Sequence, residues 1–380
     1  MIPNRFKRIA FMAKAILLSP IFYSMIWSRA RRRNKEKPLR ILVIPQLTRL
    51  GDLVCATPVF AAIKKKYPQS FLAVLTTDKV EGIIRNNPHI DQILLYKSND
   101  LGGLVQKIRS LRFDWSFTLP VSPFGLLLSF VSLIPRRAKL MREGRPASEI
   151  MTDWLSNAPL RYYHHTYLPH AYVELLEYIH IHNPGTKKEV YIDSESEKRV
   201  AAFLSEHGVR KSDRLVGISI AAGNAIKEWG DEKFTELASH IRTVHRARVL
   251  FLGTGKDGDR VDAIRKSLGD DLGCIKATGF SLMELPALLN ACTLFIAVDT
   301  GPIYIAHALG VPLIDITGPV DIREQPPEDE RSILIAPEGV PPSSFVFKKP
   351  GSAEERRRAV EAIPVSQVAA GVDDMMKMYG

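Results

Sequence analysis

The stretch that decides the fold is residues 298–321, which read VDTGPIYIAHALGVPLIDITGPVD. The pattern predicts a strand, a glycine turn at 299–301, a helix over 302–309 and a second strand over 313–316 that ends in another glycine turn. Pro302 suits the first helical position, where its missing N–H would have no partner in any case. In an open α/β sheet, ligands bind at the carboxyl ends of strands, and a helix N-terminus offers free N–H groups to an anion. The segment therefore predicts a phosphate site, with an ordinary strand-to-helix turn as the alternative.

The rest of the chain shows the same alternation of short apolar runs and helical patterns. Runs at 41–45 and 215–220 each end in a loop, which is typical of strands in parallel, doubly wound sheets. The 380 residues are enough for two domains, and Asn-Pro-Gly-Thr at 183–186 is the strongest linker signal near the middle. We expect an α/β protein with two Rossmann-like doubly wound domains that face a cleft.

The expected boundaries divide the chain into four segments. A basic and hydrophobic segment covers 1–38, and two Rossmann-like domains cover 39–184 and 185–345. Within the first domain, residues 139–170 are polar and interrupted by glycine and proline, so we expect them to be irregular. The C-terminal tail, 346–380, ends in a stretch with helical spacing and is expected to return to the N-terminal domain.

The composition excludes several classes of protein. Hydrophobic residues make up 46% of the chain and charged residues 24%, so neither disorder nor a polytopic membrane protein is expected. Cys55, Cys274 and Cys292 lie in apolar patterns without disulfide or metal-ligand spacing, which fits a reducing cytoplasm. The histidines form no motif of the HExxH kind, so we predict no metal site.

The net charge of +11 is concentrated at the N-terminus. Residues 1–38 hold ten basic residues and one acid, a net charge of +9, so the remaining +2 gives no reason to expect a nucleic-acid partner. Between the basic clusters, residues 9–27 read IAFMAKAILLSPIFYSMIW, with Lys14 and Pro20 as interruptions. We interpret this segment as a monotopic or re-entrant anchor on an anionic membrane surface, the cytoplasmic face of the inner membrane. A single span and an amphipathic helix packed on the protein are the alternatives.

Two loops that follow predicted strands carry candidate functional residues. The loop at 45–52 lacks the dinucleotide and P-loop glycine patterns and ends in Asp52, which either accepts a proton from a substrate hydroxyl or caps a helical turn. The loop at 221–229 offers Gly223 for close backbone approach and Lys227 as a point charge for a phosphate. A solvated surface lysine is the alternative for Lys227.

A third loop, at 253–259, is also rich in glycine. Asp257 or Asp259 is in position to accept a ribose hydroxyl, and helix capping is the expected role of Asp259. Glycine turns after strands are common in α/β folds, so this loop indicates little by itself.

Four segments of the chain together resemble one family. They read RLGDLVCATP at 49–58, AAGNAIKEWGDEKFTELA at 221–238, LGTGKDGDRV at 252–261 and VDTGPIYIAHALGVPLIDITGP at 298–319. In this order and spacing the chain resembles glycosyltransferase family 9, the heptosyltransferases of lipopolysaccharide core assembly, over about residues 40–325.

The resemblance implies the GT-B fold, with the acceptor bound mainly by the first domain and a nucleotide-sugar donor by the second. It also implies an inverting, metal-independent transferase that needs no cofactor. The implied donor is ADP-heptose or another nucleotide sugar, and the implied acceptor is a lipid-linked glycan such as the lipopolysaccharide core.

Roles for single residues follow from the same resemblance. Asp52 matches the aspartate of the family's Gly-Asp pair, the proposed catalytic base. Lys227 matches the lysine that meets the donor phosphates. Thr300 and Gly301 match the diphosphate-binding turn, with Asp299 beside them.

The chain departs from the family pattern near the implied donor site. Asp257 falls near the position of a ribose-binding glutamate. Gly230 follows Trp229 where the family usually has proline, and Tyr304 stands where it often has histidine. Two other hypotheses stay open: a GT-B-like nucleotide-sugar epimerase, and a membrane-tethered glycan-binding protein that has lost catalysis.

Overall fold

The structure is a computed structural model that describes residues 17–31, 36–121, 123–144, 147–223, 227–269, 273–318, 320–327, 329–344 and 352–380. The chain divides into two compact units, Met1–Lys187 and Lys188–Gly380. Over the described residues, each unit contains one six-stranded parallel sheet with helices between its strands. The predicted α/β class with two doubly wound sheets is confirmed.

The first unit is built around a central strand that carries the loop of Asp52. Its strands are β1 (Arg40–Ile44), β2 (Phe71–Thr76), β3 (Gln92–Leu95), β4 (Trp115–Thr118), β5 (Arg136–Arg142) and β6 (Ala158–Tyr162). Its helices are α1 (Ser19–Arg31), α2 (Leu50–Cys55), α3 (Thr57–Lys66), α4 (Leu101–Leu111), α5 (Pro123–Val131), α6 (Ala147–Asp153) and α7 (Leu168–Glu174). The sheet order is β3-β2-β1-β4-β5-β6. All strands are parallel, but successive strands are added toward one edge up to β3 and toward the other edge from β4 onward, so the strand order reverses between β1 and β4.

The second unit repeats this plan. Its strands are β7 (Leu215–Ser219), β8 (Arg248–Leu252), β9 (Cys274–Ala277), β10 (Leu294–Val298), β11 (Leu313–Ile316) and β12 (Ser332–Ile335). Its helices are α8 (Ser194–Glu206), α9 (Asp231–Val244), α10 (Gly258–Ser267), α11 (Leu285–Asn290), α12 (Gly301–Leu309), α13 (Ala353–Ala362) and α14 (Val365–Tyr379). The sheet order is β12-β11-β10-β7-β8-β9, and the reversal falls between β7 and β10.

The C-terminal helices pack on the second unit, which corrects the expectation that the tail returns to the N-terminal domain. Val368, Val372 and Met376 form an apolar stripe on α14 and are buried in the core of the second sheet. α14 contacts α9 and the strands β10, β11 and β12. The tail lies here because one face of this sheet supplies the apolar cover that the stripe needs.

The segment predicted as an anchor is described over residues 17–31, while residues 1–16 and 32–35 lie outside the described part. α1 packs on the first unit through Phe22, whose ring meets Phe130 of α5 edge-on, and through the buried Ile26. Its other side is exposed and apolar. Within the described residues, no helix is both long enough and apolar enough to cross a membrane.

The expectation that residues 139–170 are irregular is wrong, because β5, α6 and β6 lie there. β5 reads RRAKLMR, and three of its four basic side chains, those of Arg137, Lys139 and Arg142, are buried with partners. Arg137 donates hydrogen bonds of 2.6 Å to the carbonyl oxygens of Ile134 and Leu155. Lys139 pairs with Asp153 of α6 at 3.2 Å. These partners stabilise a strand whose local sequence does not predict one.

Candidate functional site

Two loops of the second unit begin where the strand order of the sheet reverses. β7 leads into the loop with Gly223 and Lys227, and β10 leads into Asp299 and Thr300. Because β7 and β10 are neighbours whose connections run to opposite sides, their carboxyl ends border a crevice. Open α/β sheets bind their ligands at such a reversal.

Asp299 lies at the centre of a polar network at this edge. Nζ of Lys227 forms an ion pair with Oδ2 of Asp299 and lies 3.4 Å from its backbone carbonyl oxygen. The phenol of Tyr304 donates a hydrogen bond of 2.8 Å to Oδ1. The side chain of Asp299 is only 7% exposed and that of Lys227 18%, so both charges are largely removed from water. Partners on both carboxylate oxygens stabilise the buried charge.

The N-terminus of α12 lies beside this network. Thr300 is the N-cap residue, with extended backbone, and its side chain makes no capping hydrogen bond. The helix begins at Gly301, one residue before the predicted start, and Pro302 follows. The N–H groups of a first helical turn have no partner within the helix and carry the positive end of its dipole. Together with Lys227 they make this edge suited to an anion.

A second carboxyl group lies below the ion pair. Asp315 of β11 is fully buried and pairs in register with Ala297 of β10, so it shares a face of the sheet with Asp299. Neither of its oxygens has a hydrogen-bond partner among the described residues. Burial raises the pKa of Asp315 well above its usual range; the charge of Asp299 raises it further, and Lys227 lowers it. Burial next to a second carboxyl group therefore favours the protonated form of Asp315.

The glycines of the predicted phosphate site have different roles. Gly223 is exposed, and a Cβ there would meet no atom of the described residues within 4 Å, so their packing leaves room for an approaching ligand. Gly318, in the second predicted glycine turn, has φ of +58°, and a Cβ there would lie 2.6 Å from Cγ2 of Val360. The second turn is therefore covered by α13, and only the first turn keeps the features of an anion site.

Asp257 has a structural role in the loop after β8. Its Oδ2 accepts hydrogen bonds from the backbone N–H and the hydroxyl of Thr254, at 2.7 and 2.8 Å, in a capping box. Asp257, not Asp259, holds the N-cap position of α10, and its side chain caps the short 3-10 turn just before that helix. Asp259 is exposed in the first turn of α10. Both hydrogen bonds of Asp257 use one oxygen, and its Oδ1 has no hydrogen-bond partner among the described residues.

Asp52 belongs to the first unit. It lies half-buried in the first turn of α2, just beyond the central strand β1. The N-cap position is held by Arg49, so the alternative that Asp52 is the cap does not apply. Burial raises the pKa of the neighbouring Tyr172 well above its usual range, and the charge of Asp52 adds to this effect. A carboxylate beside a protonated phenol thus stands at the carboxyl edge of the first sheet.

Comparison with known proteins decides the family. Residues 104–342, more than half of the chain, match the model of glycosyltransferase family 9 (heptosyltransferase). The chain belongs to glycosyltransferase family 9. It is therefore an enzyme, a glycosyltransferase, and the predicted family is confirmed. Asp52 precedes the matched residues, whereas Lys227, Asp299 and Tyr304 lie within them.

Relatives of this transferase include several bacterial enzymes. Lipopolysaccharide heptosyltransferase 3 of Escherichia coli K12 is 26% identical over 285 residues, which cover 71% of this chain and 80% of the relative. Lipooligosaccharide heptosyltransferase 2 of Haemophilus influenzae is 24% identical over 301 residues, which cover 75% of this chain and 85% of the relative.

Solved structures agree on the fold. The glycosyl transferase family 9 protein of Veillonella parvula superposes with a TM-score of 0.76 at 21% identity, covering 91% of this chain and all of that one. The ADP-heptose lps heptosyltransferase II of E. coli superposes with a TM-score of 0.71 at 17% identity, covering 90% of this chain and 99% of that one. The GT-B prediction is confirmed.

Three contacts or positions in this transferase carry no signal in the sequence. The hydroxyl of Tyr304 and the buried Asp315 both lie in apolar stretches, where a polar atom gives no periodic signal. The third feature is the anchoring of the loop that carries Lys227. Trp229 is 1% exposed, and its indole N–H donates a hydrogen bond of 2.9 Å to the carbonyl oxygen of Ile363, just after α13.

The backbone after this tryptophan explains one departure from the family pattern. Gly230 has φ of +112°, whereas proline is fixed near −65°. The loop of this transferase therefore follows a path that the family's usual Trp-Pro does not allow.

Proposed function

We propose that this glycosyltransferase transfers a sugar from a nucleotide-sugar donor, held by the second unit, to a hydroxyl of a lipid-linked glycan. The observation that carries the proposal is the network of Lys227, Asp299 and Tyr304 beside the N-terminus of α12. It combines a lysine and free N–H groups at the edge where such sheets bind ligands. A nucleoside diphosphate carries the charge that this arrangement would bind.

The reaction we propose is a single displacement with inversion. The acceptor oxygen forms a bond to the anomeric carbon, the bond from that carbon to the diphosphate oxygen breaks, and Asp52 takes the proton of the acceptor hydroxyl. Negative charge grows on the leaving diphosphate. Lys227 and the N–H groups near Thr300 and Gly301 stabilise that charge more in the transition state than in the ground state, which raises the rate.

No metal ion is required in this scheme, since the lysine and the helix N-terminus supply the positive charge. The ion pair with Asp299 holds Nζ of Lys227 at the site before a donor arrives, so little reorganisation is needed when phosphate oxygens compete for the same ammonium group. We place the ribose near Gly223 and Asp257, whose Oδ1 has no partner within the described part of the chain.

For the substrates we propose ADP-heptose as donor and a lipopolysaccharide core as acceptor. The names of the relatives support this choice, because they are heptosyltransferases of lipopolysaccharide or lipooligosaccharide. The site supports a diphosphate more directly than it supports heptose, since Tyr304 stands where the family often has histidine.

The deciding experiment measures nucleoside diphosphate release by the purified full chain from a panel of nucleotide sugars, with and without a lipopolysaccharide-core acceptor. We expect release only with both substrates. Lys227→Met should lower kcat/KM by on the order of 100-fold, since one such donor is worth about 3 kcal/mol. Lys211→Met, at an exposed position of the same unit, is the matched control.

Asp52→Asn tests the base, and turnover near that of the wild type would reject its role. Donor consumption without acceptor would indicate the epimerase. Donor binding without consumption under any condition would indicate the glycan-binding protein.

We also infer that the exposed side of α1 rests on an anionic membrane surface, the cytoplasmic face of the inner membrane. Tyr23 donates a hydrogen bond of 3.3 Å to the carbonyl oxygen of Trp154, so the apolar surfaces of α1 and the α6 region adjoin. Large apolar side chains are exposed on both: Ile21, Met25, Trp27, Ile150, Met151 and Trp154. Arg31 lies over the ring of Trp27, at 3.6 Å from its centroid. Aromatic and basic residues together are typical of a membrane interface.

Vesicle flotation tests this surface. The full chain should float with vesicles containing phosphatidylglycerol and much less with pure phosphatidylcholine, because basic residues near an anionic surface contribute about 1 kcal/mol each. The double variant Ile21→Ser/Met25→Ser should weaken flotation. Val244→Ser, at an exposed position of the second unit, should not. Equal flotation of both variants would reject the surface.

A further inference from the structure

Two histidines and one aspartate converge at the junction of α9 and α14. Nε2 of His240 lies 2.8 Å from Oδ1 of Asp373, and Nε2 of His245 lies 2.6 Å from the same oxygen. The ligand-type atoms of all three side chains lie within 4.8 Å of one another. Two imidazole nitrogens and a carboxylate oxygen thus point to one place.

This cluster lies away from the proposed donor site. α9 starts after β7, at the carboxyl edge of the second sheet, and leads to β8, so its C-terminal end lies at the opposite, amino edge. His240 is in the last part of α9, and His245 is its C-cap residue. The cluster therefore does not belong to the transfer machinery, and an inference about it is independent of the proposed function.

The two helices that carry the cluster are held by packing beneath it. Leu237 and Ile241 of α9 and Val372 and Met376 of α14 are buried in one core. Asp373 follows Val372 directly, so its position is set by that packing. Ligands mounted on rigid helices keep their geometry better than ligands on loops.

We propose that His240, His245 and Asp373 bind a divalent cation of the zinc class, which clamps the C-terminal helix to α9. Imidazole nitrogen with one carboxylate suits Zn²⁺, Co²⁺, Ni²⁺ or Cu²⁺, whereas Mg²⁺ and Ca²⁺ prefer oxygen ligands alone. Three protein ligands leave positions for water. The side chains are 28%, 13% and 48% exposed, so a cation reaches them without unfolding.

The surroundings predict a moderate affinity. Among the described residues, Nδ1 of neither ring has a hydrogen-bond partner. Losing such outer partners typically costs 10- to 100-fold in metal affinity. We therefore expect Zn²⁺ to bind roughly 100-fold or more weakly than at a site in which both imidazoles have such partners.

The spacing explains why the sequence did not reveal this cluster. His240 and His245 are five residues apart, which matches no standard helical pair of metal ligands, and Asp373 comes 128 residues after His245. Only the packing of α14 on α9 brings the third ligand to the other two.

Calorimetric titration of the tag-free, chelator-treated full chain with ZnCl₂ tests the proposal. We expect one Zn²⁺ per chain and a rise in the melting temperature on the order of 5 °C at 100 times the dissociation constant. Co²⁺ should give visible absorption bands that Zn²⁺ removes.

Conservative variants locate the cation. His240→Gln, His245→Gln and Asp373→Asn should each weaken binding at least 10-fold and remove the Co²⁺ bands, with circular dichroism and sugar transfer unchanged. His207→Gln is the matched control, because His207 is the C-cap residue of α8, is exposed, and lies in the same unit. The absence of stoichiometric binding, its persistence in the His240→Gln/His245→Gln double variant, or a lowered melting temperature with Zn²⁺ would each overturn the proposal.

Discussion

The phenol of Tyr304 and the carboxylate of Asp299 are joined by a hydrogen bond of 2.8 Å inside the second unit. The bond links the second turn of α12 to the end of β10. It occupies Oδ1 of Asp299, so that Oδ2 faces Lys227. The tyrosine thus fixes the orientation of the carboxylate that holds the lysine in place.

Removal of this phenol should weaken the site without unfolding the protein. Tyr304→Phe leaves one oxygen of a buried carboxylate without its donor, which costs about 1–3 kcal/mol. We expect a lower unfolding free energy by this amount in urea titrations and a several-fold lower kcat/KM. Tyr304→His supplies an N–H donor on a shorter side chain and should recover at most part of both losses. Wild-type behaviour of Tyr304→Phe would show that Lys227 and the backbone alone position Asp299.

Asp315 should lower the stability of the folded protein at neutral pH. Its pKa is raised in the folded state by burial, so the folded state holds a proton that the unfolded chain releases above about pH 3.9. The contribution of Asp315 to the unfolding free energy of the protein therefore falls as the pH rises above that value. Asp315→Asn removes the titration and should gain stability relative to wild type at pH 7 more than at pH 4. Urea unfolding at the two pH values measures this difference, and an equal effect at both would contradict it.

The glycine at 318 should tolerate no side chain. A Cβ at Gly318 would lie 2.6 Å from Cγ2 of Val360, and its φ of +58° adds strain. Gly318→Ala should destabilise by about 2–4 kcal/mol, from the left-handed backbone and overpacking together. Gly339→Ala is the control for backbone strain alone, since φ there is +70° and no atom of the described residues lies within 4 Å of where the added Cβ would be. Val360→Ala should relieve part of the Gly318→Ala cost, and strict additivity in the double mutant would reject the contact.

Gly230 should resist the residue that the family usually carries. At φ of +112°, Gly230→Ala should cost about 1–2 kcal/mol, and Gly230→Pro about 3 kcal/mol or more because the ring cannot reach this φ. Since Gly230 adjoins the buried Trp229, the proline variant should also raise the donor KM by displacing Lys227. Denaturant titration and steady-state kinetics measure the two effects. A proline variant as stable as the wild type would show that the loop can adopt the family's path.

His307 of α12 should make stability depend on pH in the acid range. The pKa of His307 is lowered to about 4, mainly by burial and also by the charge of Lys188, whereas Asp329 opposes this shift. Lys188 Nζ lies 3.3 Å from Nδ1, and Asp329 lies 3.1 Å from Nε2. Between about pH 6.5 and 4 the unfolded chain binds a proton that the folded protein does not, so stability falls as the pH is lowered through this window.

This loss should reach about 2–3 kcal/mol near pH 4. His307→Gln removes it, so the variant's unfolding free energy should depend less on pH across the same window. His207→Gln, at an exposed histidine, serves as the control. An unchanged slope in His307→Gln would assign the acid sensitivity to other groups.

The strands and helices around the proposed donor site could be predicted closely. The strand Leu313–Ile316 has the bounds expected from its apolar run, the strand Leu294–Val298 ends directly before the expected turn, and α12 starts one residue earlier than expected. These elements are buried by apolar side chains whose spacing is set within one short stretch of chain. In β5, by contrast, Arg137 and Lys139 hide the strand, because their burial depends on partners that come later in the chain.

The sequence by itself determined the α/β class, the family resemblance and the turn at Asp299-Thr300-Gly301, because all three depend on patterns within a few neighbouring residues. Only the tertiary structure decided that Tyr304 and Lys227 share the carboxylate of Asp299, that α13 covers the turn at Gly318, and that α14 joins the second unit. Hydrogen bonds and close packing between distant segments are decided by which atoms the fold brings within about 3–4 Å, and no local pattern records those distances.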